Sequence, residues 1–141
     1  MAETFVDTSG WAAWIDRGEQ FHPQAREIVD RAWDDGQSLI TTNWVLAELT
    51  GLLTRFRMPK PQQIKTLACL RTDPSILVIS IERTIEASAW KLWEARPDKD
   101  WSLVDCASFV VMEFRKITDA LTSDHHFEQA GFVRLLKNEA L

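Results

Sequence analysis

Thr4-Phe5-Val6-Asp7-Thr8-Ser9 carries the pattern that decides the fold: a short β-forming run ends on a carboxylate, and two hydroxyl residues follow. Further β-like runs stand at residues 38–41, 76–80, 120–122 and, more weakly, 132–135. They are continuously apolar instead of alternating, as strands buried on both faces are. Helical stretches separate most of them. Strand alternating with helix predicts right-handed crossovers and a parallel sheet, which places the chain in the α/β class.

Helix boundaries support this reading. Thr8 or Ser9 can cap a first helix running to about Asp16, and Pro23 opens a second that stops at Gly36. Asn43 can cap a third, with Val45, Leu49, Leu52, Leu53 and Phe56 on one stripe. Pro61 starts a fourth, ending near Asp73-Pro74, and a fifth covers residues 82–95. Ser102 caps a sixth over residues 103–115, and Asp124 caps a short seventh that ends at Gly131. There is no internal repeat, low-complexity tract or long linker, so residues 1–141 read as a single domain.

Composition narrows the classes. At 141 residues, 45% hydrophobic and 26% charged, the chain can bury a core without staples. No apolar run approaches a bilayer span, and the start lacks a basic stretch followed by an apolar one, so neither membrane helix nor secretory signal is expected. Cys69 and Cys106 read as buried thiols instead of a disulfide, which fits a reducing cytoplasm. The net charge of −5 argues against a protein that grips nucleic acid by a broad basic surface. It does not argue against one that meets phosphates through bound cations. Of the seven tryptophans, Trp14, Trp33, Trp90 and Trp93 fall on helices and read as core or partner-facing.

Four acids stand out: Asp7, Glu48, Asp105 and Asp124. Asp7 and Asp124 lie just beyond the first and fourth β-like runs. In open α/β sheets that is where ligands bind, provided the two strands are neighbours. Each also suits helix capping. Glu48 sits about 60° from Val45 around the helix, at the edge of the apolar stripe instead of opposite it. Asp105 shares an otherwise apolar segment, residues 103–114, only with Glu113; Ser102 already supplies a cap there. Clustered carboxylates without Cys, His sets or a Gly-rich phosphate loop point to an oxygen-only site for a hard cation, Mg²⁺ or Mn²⁺. Such a cation acidifies water and stabilises charge on a phosphodiester.

Two other readings compete. An aspartate-phosphorylated domain would need paired acids or Asp-x-Asp near the first strand and a lysine after a later one, whereas Asp7 is followed by Thr-Ser-Gly. An inert protein-binding module would have no use for acids that repel one another. His125 and His126 read as helix-start packing or an RNA contact, and Arg83, Arg96 and Lys99 as solvated charges.

Taken in order, Phe5-Val6-Asp7-Thr8-Ser9, Thr41-Thr42-Asn43-Trp44-Val45-Leu46-Ala47-Glu48-Leu49, Trp101-Ser102-Leu103-Val104-Asp105-Cys106-Ala107-Ser108-Phe109 and Leu121-Thr122-Ser123-Asp124-His125-His126-Phe127 resemble a PIN-domain endoribonuclease, specifically the VapC-type toxin of toxin–antitoxin pairs. The resemblance spans residue 5 to about 135. It implies a PIN-like three-layer fold with a five-stranded parallel sheet in the order 3-2-1-4-5, flanked by helices. It implies Mg²⁺- or Mn²⁺-dependent cleavage of single-stranded RNA regions, with Asp7, Glu48, Asp105 and Asp124 as ligands and Asp100 as a further metal candidate. Thr8 and Ser9 would orient water or phosphate, and Trp101 could stack a base. A homodimer and a small cognate antitoxin are the implied partners. A non-toxin RNA-processing nuclease is the neighbouring alternative.

Overall fold

In the computed structural model, which describes residues 2–138, five short strands form one sheet. They are β1 (Thr4–Val6), β2 (Leu39–Thr42), β3 (Ile76–Ile79), β4 (Asp119–Leu121) and β5 (Val133–Arg134). Their order is β3-β2-β1-β4-β5, as the resemblance implies, and every neighbouring pair is parallel, as the alternation of strand and helix predicts. β1 and β2 are buried at every residue, while the edge strands β3 and β5 are partly open. That difference explains why the apolar signal weakens at residues 132–135.

The intervening helices are α1 (Thr8–Ile15), α2 (His22–Asp34), α3 (Asn43–Arg55), α4 (Lys60–Thr72), α5 (Arg83–Ala95), α6 (Leu103–Arg115) and α7 (His126–Gln129). α1 packs on α2 and α3, and α3 on α4; separately, α5 packs on α6 and α6 on α7. The core between sheet and helices includes Phe5, Trp11, Leu39, Leu49, Met112 and Phe127, all fully buried. Each such side chain contributes about 1.5–3 kcal/mol relative to exposure.

The chain builds β2 and β3 on one side of β1, then crosses back to place β4 and β5 on the other. Strand order therefore reverses between β1 and β4, which is where an open α/β sheet leaves a crevice at its carboxyl ends. Val6 pairs with Leu121 in that register, and the Asp7 N–H donates to the Leu121 carbonyl at 3.4 Å. Helix α1 presses against the end of β4 so closely that a Cβ on Gly10 would lie 2.0 Å from the Leu121 oxygen. Only glycine lets the two elements meet.

Several local expectations are corrected. The cap of α1 is Asp7, whose carboxylate accepts the Gly10 N–H at 3.0 Å, instead of Thr8 or Ser9. The cap of α3 is Thr42; Asn43 instead accepts the Ile81 N–H at 2.7 Å and ties α3 to the segment after β3. Asp105 does take part in capping α6. It forms a reciprocal box with Ser102, each side chain accepting from the other's backbone. Phe56, at the end of the α3 stripe, is exposed, and so is Cys69; Cys106 is buried, and both thiols are free. Trp14 and Trp33 are half-buried, whereas Trp90 and Trp93 are exposed. No helix among the described residues is long and apolar enough to cross a membrane.

Candidate active site

At the carboxyl ends of β1 and β4 lies a cavity of about 340 Å³ lined by Asp7, Thr8, Ser9, Glu48, Leu52, Asp100, Ser102, Asp105, Asp124 and His126. All four acids singled out in the sequence are there, and so is Asp100. The four come from separate elements, the end of β1, the middle of α3, the first turn of α6 and the loop after β4, and Asp100 from the segment between α5 and α6.

Asp7 is the anchor. Its side chain is nearly closed off from water, at 7% exposure, and accepts hydrogen bonds from the Ser9 hydroxyl at 2.8 Å, the Gly10 N–H at 3.0 Å and the Thr122 hydroxyl at 2.9 Å. These donors favour the carboxylate, yet burial outweighs them. With the Asp124 charge adding to the effect, the carboxyl is pushed up to about 7. A buried acid in that state is one that a neighbouring cation would return to its charged form.

Thr122 links Asp7 to Asp124: its hydroxyl donates to Asp7 and accepts the Asp124 N–H at 3.0 Å. Ser9 performs the parallel task, accepting the Ser123 N–H at 3.0 Å while donating to Asp7. Thr8 donates its hydroxyl proton to Glu48, so the one exposed acid of the four is turned toward the others. Desolvation also raises Asp105 above the usual carboxylate range, and Asp124 again contributes. Asp124 is thus felt by both Asp7 and Asp105.

His126, read from sequence as packing or an RNA contact, belongs to this cluster. Its Nδ1 lies 3.0 Å from Asp105 Oδ2 and 3.3 Å from Asp124 Oδ1. Asp124, His125 and His126 bring metal-competent atoms within 4.8 Å of one another. Sequence reasoning missed Thr122 altogether; the available signal was a hydroxyl at the end of β4, two residues before Asp124.

Trp101 is not brought to the cavity in the way base stacking requires. It is only 5% exposed, its ring packs edge-on against Phe109 and under the Arg96 guanidinium, and its indole N–H donates to Gln129 at 3.0 Å. The expectation that it stacks a base is corrected: the ring is buried, with Arg96 over it, and offers no open face to an RNA base. Arg96 and Lys99 pair with Asp98 outside the cavity, and Arg83 is exposed at the start of α5.

The donor set fits a hard dication. It offers carboxylate oxygens from several elements, no thiolate, and a buried carboxyl whose charged form lacks a compensating side-chain cation within its own hydrogen bonds.

Comparison with known proteins agrees with the fold. The PIN domain family profile matches residues 4–133. The chain belongs to the PIN-domain family, on its VapC branch. It is 33% identical over 132 residues to the 23S rRNA-specific endonuclease VapC20 of Mycobacterium tuberculosis, in strains CDC 1551 / Oshkosh and ATCC 25618 / H37Rv; the match covers 93% of this chain and 96% of the relative. The crystal structure of M. tuberculosis VapC20, described as a toxin that cleaves the sarcin-ricin loop, superimposes with a TM-score of 0.80 at 33% identity, covering 92% of this chain and 96% of that one.

Proposed function

We propose that this protein is the toxin of a type II toxin–antitoxin pair, an endoribonuclease that uses Mg²⁺ or Mn²⁺ to hydrolyse RNA phosphodiester bonds. The observation that carries the reading is the convergence of Asp7, Glu48, Asp105 and Asp124, from four elements, on one cavity. Asp7, Asp105 and Asp124 would hold the cation, with Glu48 and Asp100 completing the acidic rim. When bound, a divalent cation supplies a more acidic water and offsets charge that builds on the phosphodiester. The chain's own residues do the rest. Thr122 and Ser9 lock the Asp7 carboxylate, and Thr8 steers Glu48 toward the cavity, keeping a hydroxyl lone pair for water or phosphate.

The target named for VapC20 makes 23S rRNA the first RNA to test. A small antitoxin is the proposed inhibitor. In support, a cavity of about 610 Å³ formed by α1–α4 and their loops is lined by Trp14, Arg17, His22, Arg26, Leu53 and Phe56. The protein is proposed to act as a homodimer in the cytoplasm, where free thiols and an RNA substrate coexist.

The test is to sequence RNA 5′ ends after brief induction of wild type and Asp105→Ala. New ends at discrete sites are expected for wild type and not for the variant. In vitro, EDTA should stop cleavage, and added Mg²⁺ or Mn²⁺ should restore it. Equal cleavage by the variant, or chelator-resistant activity, would overturn the reading.

A further inference from the structure

We propose that His126 is a positioning residue: its ring Nδ1 holds Asp105 on α6 while its backbone N–H holds Asp124 in the β4–α7 loop, and the residue so sets how tightly the acidic cavity holds a divalent cation. The proposal rests on the metal-site reading above. A ring nitrogen facing a carboxylate serves as the donor, so Nδ1–H donates to Asp105 Oδ2 at 3.0 Å, while the same nitrogen stands 3.3 Å from Asp124 Oδ1 as a close charge contact.

The way the hydrogen bonds are shared out gives the clamp its meaning. Asp105 Oδ2 also accepts the Ser102 N–H at 3.1 Å, and Asp124 Oδ1 also accepts the His126 N–H at 2.9 Å. One oxygen of each acid therefore takes all the protein hydrogen bonds recorded among the described residues. The other, Asp105 Oδ1 or Asp124 Oδ2, is left to a ligand. His126 cannot drift from this station, because the next residue, Phe127, is fully buried with its ring 4.9 Å from Phe109 and 6.3 Å from Phe5. The His125 ring lies against the imidazole at 4.6 Å. Groups that orient metal ligands in this way typically change metal affinity or activity by about 10–100-fold when removed.

Isosteres separate this role from simple packing. The amide nitrogen of Asn can take the place of Nδ1, whereas that of Gln falls nearer Nε2. Mn²⁺ binding to purified His126→Ala, His126→Asn, His126→Gln and wild type should be measured by electron paramagnetic resonance titration with MnCl₂, with thermal melts as a folding control. Affinity should fall by about 10–100-fold in His126→Ala, stay near wild type in His126→Asn, and fall in His126→Gln as in alanine. The Mn²⁺ concentration needed for RNA cleavage should shift in parallel. Wild-type affinity in His126→Ala, or Asn no better than Gln, would overturn this proposal alone; if alanine does not fold, the Asn–Gln comparison decides. A wild type that binds no Mn²⁺ would overturn the metal-site reading and this inference with it.

Discussion

Asp7 sets the behaviour of the site at the scale of one residue. Its carboxyl rises from an ordinary 3.8 to about 7, mainly through burial. Between those values the folded chain holds a proton that the unfolded chain releases, so stability falls as pH rises. Asp7's contribution is complete below about 3.8 and lost above about 7. The metal-free protein should therefore lose thermal stability relative to Asp7→Asn between pH 5 and 8, by calorimetry in EDTA. Saturating Mn²⁺ should recover the wild type at the alkaline end and leave the variant unmoved. A wild type and variant with parallel pH profiles would contradict this account of Asp7. The acid itself was legible, because a carboxylate straight after an apolar strand is conspicuous. Its support was not: Thr122 stands 115 positions away, and no local pattern announces a hydrogen bond of that range. The clamp by His126 was hidden for the same reason.

Among the elements, the approach of α1 to β4 decides whether the acids meet. Gly10→Ala puts a methyl into the Leu121 carbonyl, where a Cβ would lie 2.0 Å from the oxygen. The backbone must part to admit it. A loss of about 1–3 kcal/mol is expected from such overpacking, read by urea unfolding, and RNA cleavage should fall as well because Asp7 and Thr122 separate. An unchanged unfolding midpoint would show that α1 is not held as described. Helix positions were legible to within a residue or two, and the assignment of caps was less so. Asp7, Thr8 and Ser9 are all cap-competent, as are Thr42 and Asn43. Where each strand ends decides which of them caps, and that is settled by pairing with a neighbour instead of by propensity.

For the whole molecule, alternation of apolar runs with helices was enough to give a parallel sheet, and the resemblance supplied its strand order. Surfaces were harder to read. Phe114 on α6 is 88% exposed, beside a groove of about 370 Å³ lined by Ile79, Ile85, Val110 and Val111. A projecting ring next to an apolar groove is the self-complementary arrangement that a two-fold dimer uses. If this face carries the proposed homodimer, Phe114→Glu should lower the mass read by light scattering from dimer to monomer, whereas a variant dimer of unchanged mass would exclude this face. Nothing in the sequence marked Phe114, since an apolar residue near a helix end reads as core. The assembled molecule stands on one claim, that anionic side chains from distant elements share a dication. Anomalous diffraction from crystals soaked in MnCl₂ tests it most directly. A manganese peak bounded by the carboxylates of Asp7, Asp105 and Asp124 is expected; a map with no peak there, or one only at surface acids elsewhere, would contradict the shared-dication claim.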